Sequence, residues 1–155
     1  LWRPAELALD EVPMVPVLQH AVQNIPADIV VLLQPTSPIR TDDLIERAIE
    51  RFIESKADTL ATGFITHQYE WPSANSNMPR QGLTGWFYDD GNVYIHRADY
   101  LKEGKSFGKK TEKMIIDKYY NFEIDDEVDF SIVESLIEAF NKSDNEDEGA
   151  FRQAE

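Results

Sequence analysis

Three rhythms of apolar and polar residues run along the chain. The segment "IVVLLQ" at 29–34 is apolar without a break. A run of this length reads as a strand, and its lack of alternation predicts cover on both faces, as in a parallel sheet. A helical rhythm flanks it. In "PMVPVLQHAVQNI", Val17, Leu18, Ala21, Val22 and Ile25 fall on one stripe. In "RTDDLIERAIERFIESKAD", Ile45, Ala48, Ile49, Phe52 and Ile53 recur at i, i+3, i+4, i+7 and i+8, the pattern of a core-facing helix. Thr41 is placed to cap that helix, with Asp42 and Asp43 in its first turn near the positive end. "TLATGFI" and "NVYIH" read as further strands, "ADYLKEGK" as a short helix, and "EKMIIDKYYNFEID" as one or two strands. "DDEVDFSIVESLIEAF" closes the pattern as a helix with Val128, Ile132, Leu136, Ile137 and Phe140 inward. The third rhythm is no rhythm: residues 66–91 are rich in proline, glycine and asparagine, and a loop so long is more often functional than idle.

Helix, strand, helix, strand is the alternation of an α/β fold. The 155 residues suit one domain, drawn at 1–140, with 141–155 as an acidic tail. Charge narrows the partners. A formal net charge of −14 leaves no basic stripe to displace counterions, which excludes nucleic-acid backbone binding but not a nucleotide substrate. No run is long enough to span a membrane, so no membrane partner is expected. There is no cysteine, which removes disulfides and thiolate chemistry and fits a cytoplasmic location.

The strand of 29–34 ends at a polar loop, "QPTSPIR". In open α/β sheets, ligands bind beyond the carboxyl ends of the strands. Pro35 and Pro38 stiffen this loop, so Gln34, Thr36, Ser37 and Arg40 can meet a ligand at small entropic cost. The structural alternative is a proline-stiffened turn leading into a helix cap, with Arg40 as its anchor. Ser37 has no histidine or lysine partner in the sequence pattern and is not a nucleophile. Farther on, Glu123 and Asp125 lie two apart on an expected strand, which points both carboxylates to one face. Two carboxylates completed by phosphate oxygens and water make a magnesium shell. The alternative is an acidic helix start, with Asp126 as cap and Asp129 in the first turn.

The segments "RPAELALD", "LLQPTSPIR", "PRQ", "GNVYI" and "EIDDEVDF" occur in this order along the chain. Their order and spacing resemble the acylneuraminate cytidylyltransferases, the CMP-sialic acid synthetases and their legionaminic and pseudaminic acid relatives. The resemblance reaches to about residue 140. It implies a Rossmann-like nucleotide-sugar transferase fold with a mainly parallel sheet and a small dimerisation arm, placed at about 98–120. It also implies transfer of CMP from CTP to a nine-carbon 2-keto sugar acid, with Mg2+ as cofactor, pyrophosphate as product and a homodimer as the assembly. By the same resemblance, Arg3 lies near the nucleotide, and Gln34 contacts the sugar acid. Arg80 meets the sugar carboxylate, with Gln81 beside it. Gly91 permits close backbone approach, and Tyr94 lines the sugar pocket or the core. Glu123 and Asp125 hold the metal, with Asp125 as its main ligand. Asp90 stands where the family has asparagine. The family's opening strand and basic loop, of the type A-R-x-G-S-K-x-x-P-x-K-N, have no counterpart among these residues. The chain is therefore expected to be part of a longer enzyme, entering the family pattern roughly 65–70 residues in. A non-catalytic binding or dimerisation module of the family and a 3-deoxy-manno-octulosonate cytidylyltransferase are the alternatives.

Overall fold

The computed structural model describes residues 1–40 and 43–152. Thr41 and Asp42, expected at the start of the second helix, lie outside the described residues, as do the side chain of Tyr119 and the end of the acidic tail. In chain order the elements are α1 (Met14–Asn24), β1 (Ile29–Leu32), α2 (Leu44–Ser55), β2 (Thr59–Thr66), β3 (Trp86–Arg97), α3 (Ala98–Lys102), β4 (Thr111–Ile115) and α4 (Glu127–Arg152). Short 3-10 turns occupy Ala5–Leu7, Arg80–Gly82 and Lys118–Tyr120.

The strands form one sheet in the order β1-β3-β2-β4. β3 is antiparallel to both β1 and β2, and only β2 and β4 run parallel. The sheet is thus mixed rather than mainly parallel. The apolar run of β1 nevertheless has the cause expected of it, cover on both faces. Ile29 and Val31 pack against the core under α2, while Val30 and Leu32 pack against Leu18, Val22, Ala98 and Leu101 of α1 and α3. Helices on both sides make a strand apolar throughout, whichever way its neighbour runs.

The larger core lies between the sheet and α2. Leu44, Ala48 and Phe52 meet Leu60, Val93, Ile95 and Ile116 there, with Ile45 and Ile49 at its edge. Ile53, expected inward, is 62% exposed, because the buried stripe is centred on Leu44, Ala48 and Phe52 and turns Ile53 past its border. Ile25 is likewise exposed, since α1 ends at Asn24 and Ile25 is already extended. In α4 Val133 is buried and Leu136 and Ile137 are partly buried, while Val128 and Ile132 face out, and the Phe140 ring stacks on Tyr120. That helix runs on to Arg152, into the segment read as a tail.

One further expectation changes. Trp86–Tyr88, read as part of the long loop, belong to β3 and pair with Thr66, Ile65 and Phe64 of β2. These residues extend the hairpin beyond the rungs shared with β1 and β4, and Ile65, Trp86 and Tyr88 are exposed on it. The segment 98–120, read as an arm, comprises α3, the edge strand β4 and the 3-10 turn Lys118–Tyr120, with Phe107 and Ile115 exposed.

Candidate functional site

The loop after β1 and the segment before α4 lie far apart in sequence and come together over one irregularity in β3. Opposite the single residue Thr62 of β2, β3 carries the four residues Asp90 to Val93, because pairing resumes from Ala61–Tyr94 to Gly63–Asp89. Bulges of this kind re-aim backbone beside functional sites. The bulge is held from inside. The Thr62 hydroxyl donates to Asp90 Oδ1 at 2.7 Å, and the amides of Asn92 and Val93 donate to Asp90 Oδ1 and Thr62 Oγ1. Gly91 at its tip has φ +69°, a left-handed conformation that glycine adopts without cost. A side chain there would also collide: a Cβ would stand 2.4 Å from Glu123 Oε1 and 2.6 Å from Ser37 Oγ. The "QPTSP" loop, the bulge and the "EID" segment therefore meet at one glycine.

Hydrogen bonds tie the three segments together. Ile124 N–H donates to the Thr36 carbonyl at 2.8 Å. The fully buried Ser37 donates its hydroxyl to the Asp90 carbonyl at 3.1 Å. Arg40 Nη2 donates to the carbonyls of Gln34 at 2.7 Å and Asn92 at 3.1 Å. Of the two roles open to Arg40, the geometry is that of the anchor, with its guanidinium spent on backbone. Burial holds its pKa below the ordinary value, against the opposing attraction of Asp90.

Four carboxylates gather around this junction. Burial raises the Glu123 pKa, and the negative charges of Asp125, Asp89 and Asp90 raise it further. Burial also raises Asp90, whose hydrogen bonds from Thr62 and Asn92 only partly oppose it. Asp90 Oδ2 is buried without a hydrogen-bond partner among the described residues. Glu123 and Asp125 are not on a strand, as expected of them, but in the irregular connection between the 3-10 turn and α4, with Asp125 in a bend. The helix-start alternative accounts for their neighbours. Asp126 Oδ1 accepts from the amides of Val128 at 2.8 Å and Asp129 at 2.9 Å, and Asp129 Oδ2 accepts from the Asp125 amide at 3.1 Å. The carboxylates of Glu123 and Asp125 are not used in that cap.

Beside the junction, a cavity of about 450 Å³ opens on the face of the sheet opposite α2. Gln34, Tyr94 and Asp89 line it, together with Met14, Val15 and Leu18 of α1, Phe87, His96, Phe107 and Lys113. Tyr94 donates its hydroxyl to Asp89 Oδ2 at 2.7 Å. Burial and this acidic partner push its pKa upward. The volume and mostly apolar walls with a few polar groups are those of a small-molecule site. Gln34, whose Oε1 accepts weakly from Thr36 Oγ1 at 3.5 Å, links cavity and junction.

Two named proteins are among those the chain is similar to. It is 28% identical over 159 residues to the Post-translational flagellin modification protein B of Campylobacter coli, covering 90% of this chain and 68% of that protein. It is 42% identical over 65 residues to the CMP-N,N'-diacetyllegionaminic acid synthase of Campylobacter jejuni subsp. jejuni serotype O:2, covering 41% of this chain and 28% of that enzyme. No family model matches the chain.

The remaining sequence-derived residues stay outside this junction. Arg3 is exposed near the N-terminal 3-10 turn, and its side chain makes no hydrogen bond or ion pair among the described residues. Arg80 lies with His67, Gln68, Tyr69, Met78 and Leu83 in a separate cleft, and Gln81 follows it on the exposed 3-10 turn. The structure adds residues that the sequence reading did not place at the site: Asp89, Asp90, Phe87, His96 and Lys113. One signal was available, since Tyr94 and His96 are two apart on a strand and must share a face.

Proposed function

We propose that this chain belongs to a cytidylyltransferase that transfers CMP from CTP to the anomeric hydroxyl of a nine-carbon 2-keto sugar acid, releasing pyrophosphate. One observation carries the reading. The "QPTSP" loop and the Glu123–Asp125 segment, which the resemblance assigns to sugar acid and metal, converge on Gly91 beside a cavity that Gln34 and Tyr94 line. The similarity to a protein named as a CMP-N,N'-diacetyllegionaminic acid synthase supports the same chemistry. In this reading Gln34 and Tyr94 face the sugar acid, Thr36 and Ser37 shape the loop, and Arg40 holds it. Arg3, Arg80 and Gln81 reach substrate only through contacts beyond those formed in this chain.

The donor set around Gly91 fits magnesium. It is entirely oxygen, and burial together with the negative charges of Asp125, Asp89 and Asp90 raises the Glu123 pKa, an effect that a bound cation would oppose. No group of three or more histidine, cysteine or acidic side chains is poised for a metal among the described residues. Magnesium takes one or two carboxylates and draws its other ligands from phosphate and water. Asp125, exposed, and Glu123, half-buried, would hold it. A bound magnesium supplies charge neutralisation on the phosphate oxygens as pyrophosphate leaves. The chain's own residues orient the acceptor: the cavity wall of α1 excludes water from one side of the sugar, and Gln34 both donates to and accepts from its hydroxyls.

The reading also includes a homodimer. The segment 98–120, with Phe107 and Ile115 exposed, and the β2–β3 hairpin, with Ile65, Trp86 and Tyr88 exposed, offer surface for it. The test of the function is pyrophosphate release by the gene product containing this chain, with CTP, magnesium and each of sialic, legionaminic and pseudaminic acid. Release with one of these acids and none without a sugar acid is the expected result. CTP turnover that ignores all three overturns the reading.

A further inference from the structure

One side chain in the cavity is more constrained than its surroundings require. His96 is 6% exposed. Its Nδ1 lies 2.9 Å from the Ser106 carbonyl. A carbonyl can only accept, so Nδ1 must carry the proton, and in the neutral ring Nε2 is then a bare acceptor. Burial lowers the imidazole pKa, which favours that neutral ring. The ring stacks on Tyr94 at 6.5 Å between centroids, and Nε2 has no hydrogen-bond partner among the described residues. The tautomer and the plane of the ring are both fixed before any ligand arrives.

Strand register places this acceptor within the cavity. Val30, His96, Thr59 and Thr111 form one rung across the sheet; Leu32, Tyr94, Ala61 and Lys113 form the next. Lys113, over the Phe87 ring, therefore stands two strands away from His96, roughly 10 Å across the sheet. An acceptor at one end and a cation toward the other give the cavity a direction. A carboxylate is repelled by the Nε2 lone pair and attracted to the lysine side.

We propose that His96 Nε2 is a specificity-determining acceptor of this cavity, reading an uncharged O–H or acylamino N–H donor on the ligand and turning its carboxylate toward Lys113. The inference rests on the cytidylyltransferase reading for the ligand class, a polyhydroxylated or acylamino sugar acid. It goes further in naming the contact and the ligand's direction.

The alternative role for His96 is purely structural. Ser106 O also accepts from Thr59 Oγ1 at 3.1 Å, so the imidazole could serve only to staple that loop to the sheet. Two substitutions separate the roles. His96→Asn can keep a donor near Nδ1 and loses Nε2; His96→Gln reaches the Nε2 position and loses the staple.

The test uses the 15N-labelled gene product containing this chain, with imidazole nitrogens observed by long-range 1H–15N correlation. His96 is assigned by its disappearance in His96→Asn. The probes are N-acetylneuraminate and the analogue with a hydroxyl in place of the acetamido group. The expected result is a Nε2 resonance that shifts toward the hydrogen-bonded position on binding while Nδ1 stays protonated. His96→Asn should weaken binding about tenfold, the loss of one buried hydrogen bond, and His96→Gln should weaken it less. A shift with N-acetylneuraminate alone assigns the donor to the acylamino N–H; a shift with both assigns it to a hydroxyl. If the probes bind and Nε2 does not move, the inference is overturned and the cytidylyltransferase reading stands. If neither probe binds and no sugar acid supports pyrophosphate release, that reading falls and the inference with it.

Discussion

The two faces of the sheet are made by the same strands and do opposite things. Toward α2, Val31, Leu60, Val93 and Ile95 close into an apolar layer with Leu44, Ala48 and Phe52. One residue along on each strand, Thr59, Ala61, Tyr94 and His96 turn the other way and line a cavity that α1 covers only in part. Alternation by two lets a strand commit one face to stability and the other to recognition. The bulge at Asp90–Val93 then breaks that alternation where the carboxylates gather. Substitutions on the closed face should therefore lower stability, while substitutions at the open face and the junction should lower activity at nearly constant stability.

The largest expected effect tests the closed face. Leu60 is fully buried in the α2 core. Leu60→Ala removes buried methyl groups and leaves a cavity, which costs about 2–5 kcal/mol. Urea denaturation should show the loss, with KM for the sugar acid little changed in the protein that remains folded. A KM shift larger than the stability loss would show that the two faces are not separable.

Next comes the junction. Asp125→Asn keeps size and removes charge, and turnover of the gene product should fall about a hundredfold, the scale of one lost electrostatic stabiliser. Its melting temperature should hold, because Asp125 is exposed and its carboxylate makes no hydrogen bond among the described residues. Magnesium dependence supplies a second measure. Glu123 holds its proton above the usual carboxylate range, so apparent magnesium affinity should rise with pH across the interval between the ordinary carboxylate value and that raised one. In the absence of metal the sign for stability is opposite. The folded form retains the proton longer than the unfolded form, so Glu123's contribution is full at low pH and lost as pH rises through its folded value. A magnesium affinity flat across that interval would remove Glu123 from the ligand set.

Gly91→Ala acts on both properties. It forces a side chain into a left-handed backbone and against Glu123 and Ser37. A stability loss of about 1–3 kcal/mol is expected from the backbone conformation, and turnover should fall as well because Glu123 must move. Full activity in a destabilised Gly91→Ala protein would separate the carboxylates from the chemistry.

How much of this was legible in the sequence depends on range. The helix faces were readable wherever one stripe dominated, as with Ala48 and Phe52. They failed at helix edges, where Ile25, Ile53 and Val128 follow the period but lie past the buried border. The run in β1 correctly announced two covered faces. Strand direction did not follow from it, because cover comes from the helices and not from the neighbouring strand. Gln34, Glu123 and Asp125 were visible as local chemistry, and Gly91 and Tyr94 through the family resemblance. Their meeting was not, since it depends on a bulge set by Thr62 and Asp90 through a buried hydrogen bond. Asp90 shows the limit most clearly. In the sequence it is an acid where the family has asparagine; in the structure it is 1% exposed and organises the bulge.

The smallest expected effect lies one residue from the proposed metal ligand and sharpens the comparison most. Asp126 accepts from the amides of Val128 and Asp129, satisfying two donors that the start of α4 would otherwise leave open. Asp126→Ala should cost about 0.5–2 kcal/mol, the range for loss of an N-cap. Turnover should stay near that of the unmodified protein, because the Asp125 backbone is held by Asp129 Oδ2 rather than by Asp126. Asp125→Asn and Asp126→Ala thus form a pair with crossed outcomes, one losing activity and the other stability. Thermal melts and pyrophosphate-release rates on the two variants read both quantities. Should Asp126→Ala abolish turnover while Asp125→Asn merely lowers the melting temperature, the roles of metal ligand and helix cap are reversed between these neighbours, and the magnesium shell must be rebuilt around Asp126.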